Sequence, residues 1–285
     1  MIKRIIKPLL GCAVLALLIF QLDTQQLKQS SMSINWLWFA AALLASTLNT
    51  VVSAYRWGRL CEWMGLVMPP ALALKTYFQG VCANTVLPGG IVGGDVWRIG
   101  VLVTRGAKKV TAGISVLLDR VSGFWLLGAL SCIAFGMLVA LGNTYRLGAL
   151  EWAYLSGLAL IAIAPLFLRY IKPRYFSALI RTAGLSLLVQ VFAVTAFWCC
   201  LLAVGVLVSP LAVMAAATFI FLAAIVPAAI GGFGSREVGA VMALGYLGIA
   251  AESSFLASVL YGLTATIQGV AGIYFWVARS KPTAA

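Results

Sequence analysis

The chain has 285 residues, is 63% hydrophobic and only 9% charged, contains no histidine and carries a formal net charge of +13. Soluble domains run at about 25% charged residues, so this composition excludes a soluble enzyme and points to a protein built in the bilayer. The basic excess does not signal nucleic acid, because no exposed basic strip with interleaved aromatics is present.

The first apolar run, Leu9 to Phe20, follows Lys3, Arg4 and Lys7. Phe20-Gln21-Leu22-Asp23 offers no small-x-small cleavage pattern, so the run reads as an uncleaved first span rather than a signal peptide. Ile34 to Tyr55 forms the second span, with Trp36 and Trp38 expected in one interfacial belt and Trp57 in the other. Ala71 to Leu87 and Val96 to Val103 then flank a Pro/Gly break. Their arms of roughly 16 and 10 residues fall short of the ~20 that a full crossing needs, which predicts a re-entrant hairpin. Lys75 before it and Arg105, Lys108 and Lys109 after it put its entrance on the cytoplasmic side.

Val110 to Leu141 crosses outward, Ala149 to Leu168 returns to a basic loop around Lys172, and Thr182 to Val208 crosses outward again. Leu211 to Val226 and Val238 to Ile249 flank a second break in a hairpin entered from outside. Ser254 to Ala278 closes the chain toward Arg279 and Lys281. In this topology sixteen of the twenty basic residues lie on one side, Arg56 and Arg98 among them. The positive-inside rule makes that side, and both termini, cytoplasmic. The expected fold class is an all-α polytopic membrane protein. It has one integral membrane domain over 1–285, about six full transmembrane helices and two oppositely oriented re-entrant hairpins. The hairpins belong to inverted repeat-like halves of about 34–141 and 182–278.

A pair of Gly/Pro-interrupted apolar segments in two halves is the pattern that marks a transporter's binding site near the midplane. The first break runs through Pro88, Gly93, Gly94, Asp95 and Arg98; the second through Pro227, Gly231, Gly232, Gly234, Ser235, Arg236 and Glu237. Proline removes a donor and stops the first arm, and the glycines allow the reversal. Each second arm then starts as a helix near mid-membrane, with Asp95 and Ser235 as the expected N-caps. Such an end presents free N–H groups to an anion.

Buried charge adds candidates. A charge at the bilayer centre costs about 2.5–3.5 kcal/mol on insertion scales, so such residues line pathways or pair. Two readings stand for Arg236: contact with a phosphate oxygen, or a structural pair with Glu237 or Asp95. Asp119 and Arg120 read as a pair with each other near the membrane surface. Asn84 and Thr85 can hydrogen-bond a ligand or cap the broken arm. The six cysteines show no CxxC spacing, and with no histidine present neither a metal site nor a cofactor is expected.

Asn84-Thr85-x-Leu87-Pro88 leading to Gly93-Gly94-Asp95-x-x-Arg98, then Asp119-Arg120-x-x-Gly123, then Pro227 to Gly231-Gly232-Phe233-Gly234-x-Arg236-Glu237, resemble the motif series of the lysylphosphatidylglycerol synthase transmembrane-region family. The resemblance extends over nearly the whole chain and implies a flippase domain standing alone, without the family's soluble synthase domain. It further implies movement of a lipid between leaflets, with an anionic phospholipid or a polyprenyl-phosphate-linked molecule as partner. The alternative is a non-catalytic accessory protein that binds a lipid-synthesis enzyme. Catalysis on lipid phosphate is disfavoured, because no nucleophile–base pair is evident. Small residues from Ala40 to Ala45 leave a homo-oligomer open.

Overall fold

In a computed structural model, residues 20, 22–86, 92–141, 149–225 and 234–277 are described. Among them are eleven helices and no strand. They are α1 (Thr24–Met32), α2 (Trp36–Trp63), α3 (Pro70–Val86), α4 (Val92–Val103), α5 (Lys109–Ala140) and α6 (Ala149–Ile171). α7 (Pro173–Arg181), α8 (Ala183–Ala203), α9 (Pro210–Ala223), α10 (Ser235–Tyr246) and α11 (Ala251–Val277) follow. Five of them, α2, α5, α6, α8 and α11, are long and apolar enough to cross a membrane. These match five of the six expected spans; the first, Leu9 to Phe20, lies outside the described residues apart from Phe20. The protein is an all-α, multi-pass membrane protein.

The four arms of the two broken segments hold 17, 12, 14 and 12 residues. At 1.5 Å per residue the longest reaches only about 25 Å, short of a ~30 Å hydrocarbon core. α3 packs along α4, and α9 along α10; we call these hairpins one and two. Their tips, with Pro88, Pro227, Gly231 and Gly232, lie outside the described residues. Two short helices occupy segments read from the sequence as loops. Asp23 starts α1 by accepting from the Gln25 and Gln26 N–H groups, and Pro173 opens α7, which buries Ala178 and Leu179 and leaves its basic side chains outward.

The packing of eight helices is unchanged when α2, α3, α4 and α5 are exchanged for α8, α9, α10 and α11. α3 rests on α11 as α9 rests on α5, α4 on α5 as α10 on α11, and α2 on α5 as α8 on α11; α2 and α8 pack on each other. Local turns recur in step. α2 and α8 both end at a positive-φ glycine, Gly65 and Gly205, followed by Leu66 N–H to Cys61 C=O and Val206 N–H to Leu201 C=O. Proline then opens the next helix five residues later in each half. Gly106 after α4 and Gly248 after α10 repeat the device. Only a glycine takes this left-handed turn cheaply, and the bonds that follow satisfy the last helical carbonyls.

The apolar core falls into several packed clusters. The largest gathers Phe197, Leu201, Ile220, Leu244 and Leu260 around α8, α9, α10 and α11; a second sets Trp57 and Leu102 between α2 and α4. Trp57 is therefore not the interfacial residue expected from its place in the sequence: it is fully buried and its indole N–H donates to the Ser115 Oγ at 3.4 Å. The reason is that α2 runs on to Trp63 instead of ending near Tyr55.

Hairpin one closes backbone to backbone. A Cβ on Gly94 would stand 2.5 Å from the Gly80 carbonyl oxygen, whereas one on Gly100, in the same helix, would meet nothing within 4 Å. Gly94→Ala should therefore lower stability by about 1–3 kcal/mol through forced separation of the arms. Gly100→Ala should be neutral or gain up to ~1 kcal/mol from helix propensity. The fraction of detergent-solubilised protein that stays monodisperse after heating measures both.

Candidate functional site

Two helices of the first half, α2 and α5, and both arms of hairpin one meet at one carboxylate. Asp119, on α5, is 1% exposed. Its Oδ1 accepts from Arg56 Nε at 2.9 Å, and Arg56 Nη2 lies 2.9 Å from the same oxygen. Its Oδ2 accepts from Arg98 Nη1 at 2.7 Å and from the Tyr77 hydroxyl at 3.3 Å. The Arg98 guanidinium lies over the Tyr77 ring, at 4.7 Å, and the Trp57 ring, at 5.3 Å, two rings that pack on each other. Buried charges must be paired and hydrogen-bonded to be tolerated in so dry a place.

Asp95 holds a second pair of arginines. Its Oδ1 accepts from Arg98 Nη2 at 2.6 Å and Arg120 Nη2 at 2.9 Å, and its Oδ2 accepts from Arg120 Nε at 3.1 Å. Asp119 and Arg120, adjacent in sequence, thus do not pair with each other. Successive residues on a helix point about 100° apart, so Asp119 turns to Arg56, Tyr77 and Arg98 while Arg120 turns to Asp95. Nor does Asp95 cap α4: the helix starts at Val92, and Asp95 stands in its first turn, where a carboxylate suits the helix dipole. The Asn84 Oδ1 accepts from the Gly94 N–H at 2.6 Å. The cap reading of Asn84 is the one the structure shows, and Thr85 turns its hydroxyl back to the Cys82 carbonyl.

Hairpin two repeats the plan with fewer charges. Glu237 is 0% exposed, and its Oε2 accepts from the Gly234 N–H while its Oε1 accepts from Arg236 Nη2 at 2.7 Å and the Ser258 hydroxyl at 2.9 Å. Arg236 Nε donates to Ser258 Oγ at 3.1 Å, and its guanidinium lies over the Tyr261 ring. Gly234 is the N-cap in place of Ser235, with φ of 105°. Of the two readings of Arg236, the pair with Glu237 is present. Ser235 keeps a buried hydroxyl with no hydrogen-bond partner among the described residues. In both hairpins a side chain of the chain itself, Asn84 or Glu237, takes an N–H at the start of the second arm.

Between the hairpins lies a cavity of about 310 Å³. Asn84 and Thr85 border it from hairpin one, Phe221, Ala224 and Arg236 from hairpin two. Three of the residues lining it are arginines, Arg56, Arg120 and Arg236, against one carboxylate, Asp119. Across the whole network four arginines face Asp95, Asp119 and Glu237, which leaves one positive charge in excess. Arg120 is the least buried of the four, its side chain 30% exposed against 4% for Arg56 and Arg98.

A family model described as "Lysylphosphatidylglycerol synthase TM region" matches residues 5–272. The chain belongs to this family. No curated protein matches it. The family region takes in both hairpins, all four arginines of the network and the cavity between them.

Arg56, Tyr77, Gln190 and Tyr261 reach the cavity although the sequence reading did not select them. Arg56 and Arg98 had been counted among the sidedness charges; both are 4% exposed and internal. A usable signal for Arg56 existed: Ser46, Asn49, Ser53 and Arg56 recur at steps of 3, 4 and 3, one polar stripe on an apolar helix. Gln190 donates to the Gly123 carbonyl at 3.1 Å, and a Cβ on Gly123 would crowd it at 3.2 Å.

Asp119 and Arg120 should separate cleanly on substitution. Asp119→Asn leaves Arg56 and Arg98 buried with half their partners gone and should cost about 3–5 kcal/mol. Arg120→Ala removes a half-exposed partner from an Asp95 that keeps Arg98, and should cost about 1 kcal/mol or less. Denaturant midpoints of the purified variants, measured side by side, decide this.

Proposed function

We propose that this protein moves an anionic lipid between the leaflets of the membrane, with the phosphate of the headgroup held in the cavity between the hairpins. The observation that carries the reading is that cavity's lining: arginines from both halves of the chain, Arg120 and Arg236, face one space with a positive excess. Guanidinium forks suit phosphate oxygens, and low dielectric strengthens each contact. The volume of about 310 Å³ stands at the lower end of ligand pockets, enough for a compact headgroup. The exchange of packing between the two sets of helices supports an alternating-access scheme, in which two like units rock about a shared central site.

The acyl chains need no site of their own in this scheme, because the outer faces of the long helices already meet hydrocarbon. The substrate class is a phospholipid or a polyprenyl-phosphate-linked molecule, and the location is the inner membrane of a bacterial cell with both termini cytoplasmic.

Reconstitution tests this directly. Purified protein in liposomes should accelerate headgroup exposure of a labelled phosphatidylglycerol or polyprenyl phosphate by at least tenfold over empty vesicles, about 1.4 kcal/mol in barrier. Arg120→Ala should remove that acceleration while remaining monodisperse, and Arg236→Lys, which keeps a cation beside Glu237 but loses the guanidinium fork, should reduce it. Equal rates with and without protein for every lipid offered would sink the proposal and return the accessory-protein alternative.

A further inference from the structure

Hairpin one has a second polar cavity, of about 390 Å³, at the end away from its tip. It lies between the early turns of α3 and the end of α4. Lys75 and Arg105 bring two cations, Thr76, Gln79 and Thr104 bring polar side chains, and among the described residues no carboxylate lines it.

Two of these groups are built in rather than left on the surface. Thr76 is 1% exposed, and among the described residues its hydroxyl has no hydrogen-bond partner. Other helix hydroxyls here turn back to a carbonyl, as Thr47 does to Leu43 and Thr266 to Gly262. Gln79 is 2% exposed and fixed at both ends of its amide: Nε2 donates to the Phe275 carbonyl and Oε1 accepts from the Trp97 indole.

The end of α4 does not counter the cations. Its Gly100, Leu102 and Val103 carbonyls accept from backbone N–H groups of the following turn, and the Val101 carbonyl accepts from the Thr104 hydroxyl. The negative pole of the helix is thus already satisfied within the chain.

Hairpin two supplies an internal control. Counted from Pro70 and Pro210, the positions of Lys75, Thr76 and Gln79 are those of Ala215, Ala216 and Phe219. Counted back from Gly106 and Gly248, Val101, Thr104 and Arg105 correspond to Ala243, Tyr246 and Leu247. All six counterparts line a cavity of about 290 Å³ between α9 and α10, bordered also by Phe135 and Tyr154, and among the described residues no charged one lines it. The groove is therefore a feature of the fold that forms equally with a mostly apolar lining. The polar set in hairpin one is additional to what folding needs. Lys75 and Arg105 alone could be explained as sidedness charges, but the buried Thr76 hydroxyl and the fixed Gln79 amide could not.

We propose that this groove of hairpin one is an anion subsite that takes a phosphate group, separate from the cavity between the hairpins. Trp97 and Trp276, with ring centroids 5.1 Å apart, stand beside it. Paired tryptophans favour the headgroup level, where the phosphate would come from an anionic lipid; a free phosphate ion has the same chemistry. The subsite does not depend on lipid translocation, since a protein that only holds lipid would use it equally.

Thr104→Cys gives a reporter at the rim, because the Thr104 hydroxyl is engaged with Val101 and is not one of the groups assigned to the anion. Cys61, Cys82, Cys199 and Cys200 are buried, and Cys12 and Cys132 are replaced by serine. A neutral maleimide should label this cysteine about fivefold more slowly in phosphatidylglycerol vesicles, or in detergent with inorganic phosphate, than in phosphatidylcholine vesicles or phosphate-free detergent. Protection by the lipid alone identifies a headgroup, and protection by the ion as well identifies a general phosphate site. Lys75→Ala with Arg105→Ala should abolish protection, while Arg120→Ala, in the other cavity, should leave it.

Thr76→Val guards against a folding artefact: loss of an unpartnered hydroxyl should raise thermal stability and yet weaken protection. Equal labelling under all conditions, protection that survives Lys75→Ala with Arg105→Ala, or a Thr76→Val variant with unchanged protection would each overturn the subsite. Loss of transport with protection intact would refute only the translocation reading.

Discussion

The ion cluster around Asp119 is the constraint on which the first half of this protein rests. One carboxylate ties Arg56 of α2, Tyr77 of α3 and Arg98 of α4 to α5. Arg98 then reaches Asp95, which holds Arg120, so five charges share one connected set of bonds. In hydrocarbon no water can stand in for a lost partner, so a removed charge strands the others. Hairpin one is placed by this requirement as much as by its apolar contacts. The arms are also shorter than the long helices they pack against, so the ion cluster adds fixed points to a limited apolar contact.

Hairpin two solves the same problem with less charge. Glu237, Arg236 and Ser258 form a closed triangle of hydrogen bonds that ties α10 to α11 as Asp95, Arg98 and Asp119 tie α4 to α5. The carboxylate also takes the Gly234 N–H, joining the ion pair to the start of the helix. The two halves therefore share architecture and packing while differing in electrostatics. The excess positive charge arises on the first half, where three arginines meet two aspartates; Arg236 and Glu237 balance. That difference recurs at the hairpin bases, where Lys75, Thr76 and Gln79 occupy the places of Ala215, Ala216 and Phe219.

Much of the fold was legible because membrane spans are coded by long apolar runs, and short arms by Pro and Gly. The ends of helices were less so. Trp57 and Arg56 were assigned to an interface because the apolar run weakens near Tyr55, yet α2 continues to Trp63. Hydropathy marks where solvent changes, whereas a helix ends where its backbone finds other partners, here at Gly65. The charges of the site were recognised but not their pairing. Asp119 and Arg120 looked like a couple because they are adjacent, and the 100° step between helical neighbours sends them to different partners. The N-caps failed for a related reason: Asn84 and Glu237 reach the helix starts from ten residues before Gly94 and three after Gly234.

The pairs in the network are unequal, and the inequality bears on how a phosphate could enter. Arg98 packs against two aromatic rings and is bonded to two aspartates, so moving it would expose several buried groups at once. Arg56 is fixed by Asp119 and by the Ser186 hydroxyl, 3.2 Å from its Nη1. Arg120 differs, being partly exposed and bound in a forked contact to one carboxylate, Asp95, whose other partner is Arg98. A phosphate presents the same two-oxygen edge to a guanidinium as that carboxylate does. Exchange of one for the other conserves the number of bonds to Arg120, and Asp95 retains Arg98 when it is displaced. Under the translocation reading, Asp95 thus acts as a resident anion that keeps Arg120 neutralised until a headgroup competes for it.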